Sequence, residues 1–226
     1  MLDRRDLAVA FESSAAARSV EPRRDILDAL VHTIALRGYD RTTIDCVLLA
    51  ADVPAPVFDE HFENKQDCLL AALDGLIAGV ESAISERVED SASWPERVHA
   101  GLQTLLASLA GHPDGARVVF VECLGAGELA IERVRSAMAG FVPLLEEGRG
   151  GDRDDDAETT DPDAAHLPPQ TSEAVVGGIA SILHRRVLEG ATATLPTLLP
   201  DLLYFALMPY VGHERALASA ASAAST

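Results

Sequence analysis

Apolar residues recur along this chain at helical spacing almost from end to end. The stretch "EPRRDILDALVHTIALRGYD" sets Ile26, Leu30 and Ile34 at i, i+4 and i+8, with Leu27 and Val31 beside them. That pattern predicts one helix with one apolar stripe. Pro22 near its start and Gly38 after its end punctuate it. "TTIDCVLLAADV" predicts a second helix ending near Ala51, with Thr42 and Asp45 at the spacing of a capping box. A short turn through Asp52 and Val53 leads into a third. After Asn64, a suitable N-cap, Leu69, Leu73, Leu76, Ile77, Val80, Ile84 and Val88 predict a long amphipathic helix.

"SASWPERVHAGLQTLLASLAG" repeats the pattern, with Pro95 in its first turn. "HPDGARVVFVECLG" and "GELAIERVRSAMAGFVPLLEEG" predict two more helices, divided near Gly125. "SEAVVGGIASILHRRVLEG" and "LPTLLPDLLYFALMPYVG" predict the last two long ones. The latter is apolar on most faces and so predicts cover on most sides, a subunit interface among the possible sources. The sequence shows no internal repeat and no strand pattern. The expected fold class is all-α, about nine helices, with three short ones ahead of a larger bundle.

Three segments depart from this periodicity. Residues 1–21 predict a loose arm. Between Glu146 and Gln170, nine acidic residues stand against two arginines, a net of −7. Too few apolar residues accompany them to offset ordering, which predicts a disordered loop at about 147–170. The alternative is an acidic mimic that competes with DNA for a basic surface. From about Leu217 the Ala/Ser-rich end predicts a frayed tail over 217–226. The partition is then an arm (1–21), a small domain (22–66) and a larger helical domain (67–216).

Composition narrows the function classes. The 226 residues are 48% apolar and only 4% aromatic, which favours helices over a β-sandwich. A net charge of −18 argues against a non-specific coat on nucleic acid but leaves room for a local basic surface. Cys46, Cys68 and Cys123 are odd in number and match no zinc or disulfide spacing, as reduced cytosolic thiols would. The N-terminus lacks the pattern of a signal peptide. No stretch reaches the ~18 apolar residues of a membrane span, and Leu202–Val211 contains Pro209. The expectation is a soluble cytoplasmic protein with no membrane partner. Phosphate loops, nucleophile elbows and metal-spaced His/Glu pairs are missing from the sequence, so neither an enzyme nor a cofactor is expected.

Three helices of about 16, 8 and 7 residues with a tight turn before the third fit a helix-turn-helix. The span from Ile26 to Asp74 resembles the N-terminal domain of TetR-type regulators. It matches at Gly38, Tyr39, Thr42, Thr43, Ile44, Ala51, Val53, His61, Phe62, Asn64 and Lys65. Several positions depart from the family pattern. Asp52 stands for the usual turn Gly, Pro54 for Ser, Ala55 for a polar or basic residue, and Asp59 for a phosphate-contacting Tyr.

The resemblance implies a homodimeric regulator, most often a repressor, that binds a double-stranded DNA operator and answers to a small-molecule effector. The dimer would form through the last two long helices. The implied DNA-binding residues are Arg41, Thr42, Thr43, Ala55, Pro56, Val57, Asp59, Glu60, His61 and Lys65. Arg41, Thr42 and Thr43 would hold phosphate at the second helix's start. Lys65 would hold another, and Asp59 or Glu60 would accept from cytosine. Arg4, Arg5, Arg18, Arg23 and Arg24 make the arm basic enough to reach a minor groove. The bland alternatives are Thr42 as a cap, His61 as packing, Tyr39 and Phe62 as core, and Asp59 and Glu60 as a solvated face. For the effector pocket the candidates are Trp94, His99, Gln103, Phe120, Cys123, Phe141 and His184, each of which also fits a core or surface place. A second class remains: a ligand- or partner-binding helical dimer with weakened or lost DNA binding.

Overall fold

A computed structural model describes residues 21–89, 93–149 and 166–224. Arg4, Arg5 and Arg18 of the predicted arm, and the centre of the predicted acidic loop, lie outside these residues. Eleven α-helices and no strand occur among the described residues. The small domain comprises α1 (Pro22–Arg37), α2 (Ile44–Ala51) and α3 (Ala55–His61). The larger bundle comprises α4 (Lys65–Glu89), α5 (Trp94–Gly111), α6 (Pro113–Phe120), α7 (Glu128–Ala139), α8 (Val142–Glu146), α9 (Thr171–Leu188), α10 (Leu199–Val211) and α11 (His213–Ala223).

The predicted stripe of α1 holds, with Ile26, Leu30 and Ile34 fully buried. They meet Val47 of α2, Phe58 of α3, and Leu69 and Leu73 of α4 in one continuous core. Asn64 caps α4, accepting the Asp67 N–H at 3.0 Å. The helix α4 packs along α5, where Ile84 meets Gly101, and its Leu76 meets Gly115 of α6. It passes beside α7, and α6 lies between α1 and α9.

Several expectations need correction. The C-terminal end is not frayed through its length. The helix α11 reaches Ala223, and Ala216, Ala220 and Ala223 bury one small-residue stripe. Alanine has high helix propensity, and its short side chain lets α11 lie close on α10. This also changes the account of α10, whose Leu202, Leu203, Ala206, Leu207 and Tyr210 are buried by α5, α11 and neighbouring elements of the same chain. Only Phe205 and Met208 remain as large exposed apolar residues on α10, at 39% and 40%. The helix α4 has the length and composition to cross a membrane, contrary to the reading that no stretch does. In this fold it buries Cys68, Leu69, Ala72, Leu73 and Ile84 against its neighbours.

Residues 147–149 and 166–170, the two ends of the predicted 147–170 loop, are described. Glu147–Arg149 forms a 3₁₀ turn, and Arg149 donates to the carbonyls of Leu167 and Pro168, each at 2.7 Å. Its guanidinium thereby ties the two flanks of the segment together. Beside it, Ser172 hydrogen-bonds both Glu146 and Tyr210, and the Trp94 indole donates to Leu144 O at 2.7 Å.

Candidate nucleic-acid interface and ligand cavity

The α1–α2 turn begins at Gly38, whose φ of +85° needs a residue without Cβ. Thr42 and Thr43 then divide two roles. Thr43, not Thr42, caps α2, and its hydroxyl oxygen accepts the Cys46 N–H at 3.3 Å. Thr42 is buried, and its hydroxyl donates to Gly38 O at 2.9 Å. An inward-facing hydroxyl closes the turn and is withdrawn from a phosphate, so the predicted Thr42–Asp45 box is corrected to a Thr43 cap. Lys65 is likewise engaged. Its ammonium donates to Tyr39 O at 2.8 Å and Thr42 O at 2.9 Å, and sits 3.9 Å from the Tyr39 ring centre. Two of its three donors fasten the turn to α4, and its charge stays beneath the α2 N-terminus. Arg41 is exposed, and its Nε donates to Arg37 O at 2.7 Å. Its terminal nitrogens have no partner among the described residues.

The α2–α3 turn depends on Asp52, the only non-glycine with positive φ among the described residues (φ 53°, ψ 42°). Pro54 precedes α3 and Pro56 lies in its first turn, where no N–H is required. Phe58 and Phe62 turn inward with ring centres 5.5 Å apart. Arg23 lies 5.5 Å over the Phe62 ring and Arg24 pairs with Asp28, so both belong to α1 rather than to a free arm. Ala55, Pro56, Asp59, Glu60 and His61 are exposed on the other side of α3, with Val57 half-buried. His61 is exposed, and its ring centre lies 6.2 Å from that of Phe62. Leu49 on α2 adds an apolar surface, 85% exposed. The outward face is thus acidic and apolar, and basic only near Arg37, Arg41 and Lys65.

The thiols differ sharply. The Thr43 hydroxyl, then the Thr43 backbone contact and Arg37, hold half-exposed Cys46 below the ordinary thiol range. Burial pushes Cys68 up to about 12 and Cys123 up to about 11.

In the larger bundle, α4, α5, α6 and α7 enclose an apolar cavity of about 360 Å³. Of the seven predicted pocket residues, Phe120 and Phe141 line it. Trp94 is core, packed edge-on against Tyr210 at 5.2 Å. The Cys123 thiol donates to Val119 O at 2.7 Å, and His184 hydrogen-bonds Phe120 O. His99 and Gln103 lie on α5 away from the cavity wall. The space comes instead from small residues, Gly75, Gly79, Ala116 and Ala137.

Contacts absent from the sequence reading join the two domains. Glu122, in a 3₁₀ turn after α6, accepts the Tyr39 N–H at 3.2 Å and pairs with Arg117 at 3.0 Å. His32 of α1 meets Asp114 of α6 at 2.8 Å. Thus α6 puts Ala116, Val119 and Phe120 toward the cavity, while Asp114 and the following Glu122, itself paired with Arg117, reach the small domain. The one sequence signal for this was charge at i, i+3 against the apolar stripe of α6.

Residues 26–72 match the family described as bacterial regulatory proteins, tetR family. The chain is 25% identical over 135 residues to YhgD, an uncharacterized HTH-type transcriptional regulator of Bacillus subtilis, covering 58% of this chain and 70% of that protein. The fatty acid degradation regulator FadR of Bacillus halodurans shares the fold, with a TM-score of 0.71 at 18% identity over 84% of this chain and 95% of its own. FadR of Bacillus subtilis, solved with stearoyl-CoA, gives 0.67 at 19% identity over 84% and 98%.

Proposed function

The chain belongs to the tetR family of bacterial regulatory proteins, and on that premise we propose that it is a ligand-responsive repressor that binds operator DNA as a homodimer. It is a regulator rather than an enzyme. Residues 22–66 read DNA and residues 67–216 bind ligand and dimerise. The observation that carries the proposal is the double role of α6, one face walling the cavity and the other joined to the α1–α2 turn. A ligand that moves α6 acts on Tyr39 through Glu122, and so on the placement of α2 and α3. This requires different affinity for the two placements.

Two α3 helices would enter successive major grooves, one helical turn of about 34 Å apart. Arg41 and the α2 N-terminus hold phosphate, with Lys65 adding charge from below. Asp59 and Glu60 accept from cytosine N4. Dimerisation uses the exposed side of α9, where Ala174, Gly177, Ser181, Arg185 and Leu188 form a stripe, with Phe205 and Met208 of α10 beside it. Small residues there let a second copy approach closely. Stearoyl-CoA in a relative of the same fold supports a ligand with a long apolar part.

A salt titration of the full chain against its own upstream DNA tests this. Specific binding that weakens with salt is expected. No binding at low salt by a folded dimer would refute the repressor and favour the second reading, a partner-binding dimer, which the acidic face of α3 motivates.

A further inference from the structure

The cavity used above as the effector site does not stand alone. A second apolar space of about 60 Å³ lies between α5, α7 and α9, walled by Val98, Leu102, Ile179 and Ala180. Leu105, Met138 and Phe141 line both spaces, so these three side chains are the partition. All three are half-buried rather than locked in the core. A methionine there is unbranched and adapts its shape readily. Rotation of Met138 and Phe141 would join the two spaces into one channel.

The polar groups of the channel belong to the larger space. Ser108, His112 and Glu81 line the larger space, and the smaller has none. Glu81 and His112 are exposed and therefore mark the rim. His112 Nδ1 is held by Ser108 O at 3.0 Å. Among the described residues no lysine or arginine lines either space. On α7, Arg133 is committed to an ion pair with Asp74 of α4. A ligand with an anionic head would meet the Glu81 carboxylate with no lysine or arginine of the lining to compensate, and like charges repel. An ammonium or hydroxyl finds an acceptor in Glu81.

We infer that the effector is an amphiphile with an unbranched hydrocarbon tail and a hydrogen-bond-donating head that carries no negative charge. The head sits at Glu81, and the tail passes Leu105, Met138 and Phe141 into the second space. The inference rests on the reading of the larger cavity as the effector site.

Calorimetric titration of the full chain with decylammonium, decanol, decanoate and decanoyl-CoA, each below its micelle concentration, tests the head. Decylammonium binds tightest, decanol next, and the two anions at least tenfold weaker than decanol. Glu81→Gln removes the advantage of decylammonium over decanol. A series from hexanol to dodecanol tests the tail, and affinity rises about fourfold per methylene while the chain is still being buried. Ala180→Phe, or the smaller Ala180→Leu, stops that rise at a shorter chain and leaves hexanol unaffected. Anions that bind as tightly as decylammonium, or a Glu81→Gln protein with the wild-type order, overturn the head assignment. An identical tail series in both Ala180 variants overturns the threaded tail. If no probe of any charge binds a folded, DNA-competent protein, the effector-site reading itself fails.

Discussion

Replacing Glu122 with alanine removes the contact by which the bundle holds the α1–α2 turn. One carboxylate oxygen accepts the Tyr39 N–H at 3.2 Å, and the other pairs with Arg117 at 3.0 Å. The Glu122 side chain is only 14% exposed, whereas that of Arg117 is 38% exposed. A hydrogen bond to a charged acceptor contributes about 1.5–3 kcal/mol, and a long, half-buried one belongs near 1.5. The ion pair opens to water on the arginine side and adds about 0.5 kcal/mol. Glu122→Ala should therefore cost about 2 kcal/mol, a fall in Tm of about 4–8 °C for a chain of this size. Glu122→Gln keeps an acceptor for Tyr39 and should recover most of that loss. Arg117→Ala should cost only the ion-pair share and be non-additive with Glu122→Gln. Operator affinity with and without ligand is the second readout. Loss of the contact should shrink the ligand-induced weakening of DNA binding by about tenfold. A Glu122→Ala protein that melts within about 1 °C of wild type and keeps its full ligand response would refute coupling through Glu122.

Four further outcomes are expected. Lys65→Met leaves the Thr42 carbonyl without its donor and the Tyr39 carbonyl with only the Thr42 N–H, and should destabilise the protein by about 2 kcal/mol in urea melts. Cys46 should be alkylated in the native protein well before Cys68 and Cys123, which react only on unfolding. Mass mapping of the labelled peptides checks the order. The Ser172 hydroxyl, and secondarily Arg149, hold the Glu146 carboxyl below its usual range. A lowered folded value gives stability that is present above the ordinary glutamate pKa and lost as pH falls through the folded one. Ser172→Ala should thus flatten the acid limb of the stability–pH curve below about pH 4.5. Asp59→Tyr should raise general DNA affinity and alter base preference, and an unchanged preference in a selection assay would show that Asp59 reads no base.

Most of the fold was legible because burial in helices leaves a periodic trace. Ile26, Leu30 and Ile34 mark the inner face of α1 whatever surrounds them. The left-handed turn at Asp52 was legible too, since few residues tolerate that conformation. The cap was not, because adjacent Thr42 and Thr43 have the same chemistry and only the turn decides which hydroxyl faces inward. The cavity failed for another reason. Large and polar residues such as Trp94, His184 and Cys123 look like ligand contacts, yet here they fill space and satisfy carbonyls. The hollow arises where Gly75, Gly79 and Ala137 leave it, and small residues in a helix have no distinctive spacing. Glu122 was invisible for want of any local signal, as its partner Tyr39 lies 83 positions earlier.

The acidity of the reading surface bears on how this chain would hold DNA. Affinity for a duplex comes largely from cations set against phosphates, whereas base contacts supply selection. On α3 the exposed residues are Ala55, Pro56, Asp59, Glu60 and His61, and neither Pro54 ahead of the helix nor Pro56 has an N–H group to offer. The available attraction therefore gathers around the α2 N-terminus, where Arg41 is open and Lys65 sits beneath. That geometry would anchor one edge of the small domain and leave α3 close to a groove that repels it except where cytosine amino groups meet its carboxylates. Wrong sequences would then be rejected by charge, a way of gaining selectivity that costs affinity. A dimer would offset the loss, since the second half-site would bind at the effective concentration set by the first. Spacing between the two small domains becomes the sensitive variable, and the Glu122–Tyr39 contact lies where that spacing would be controlled.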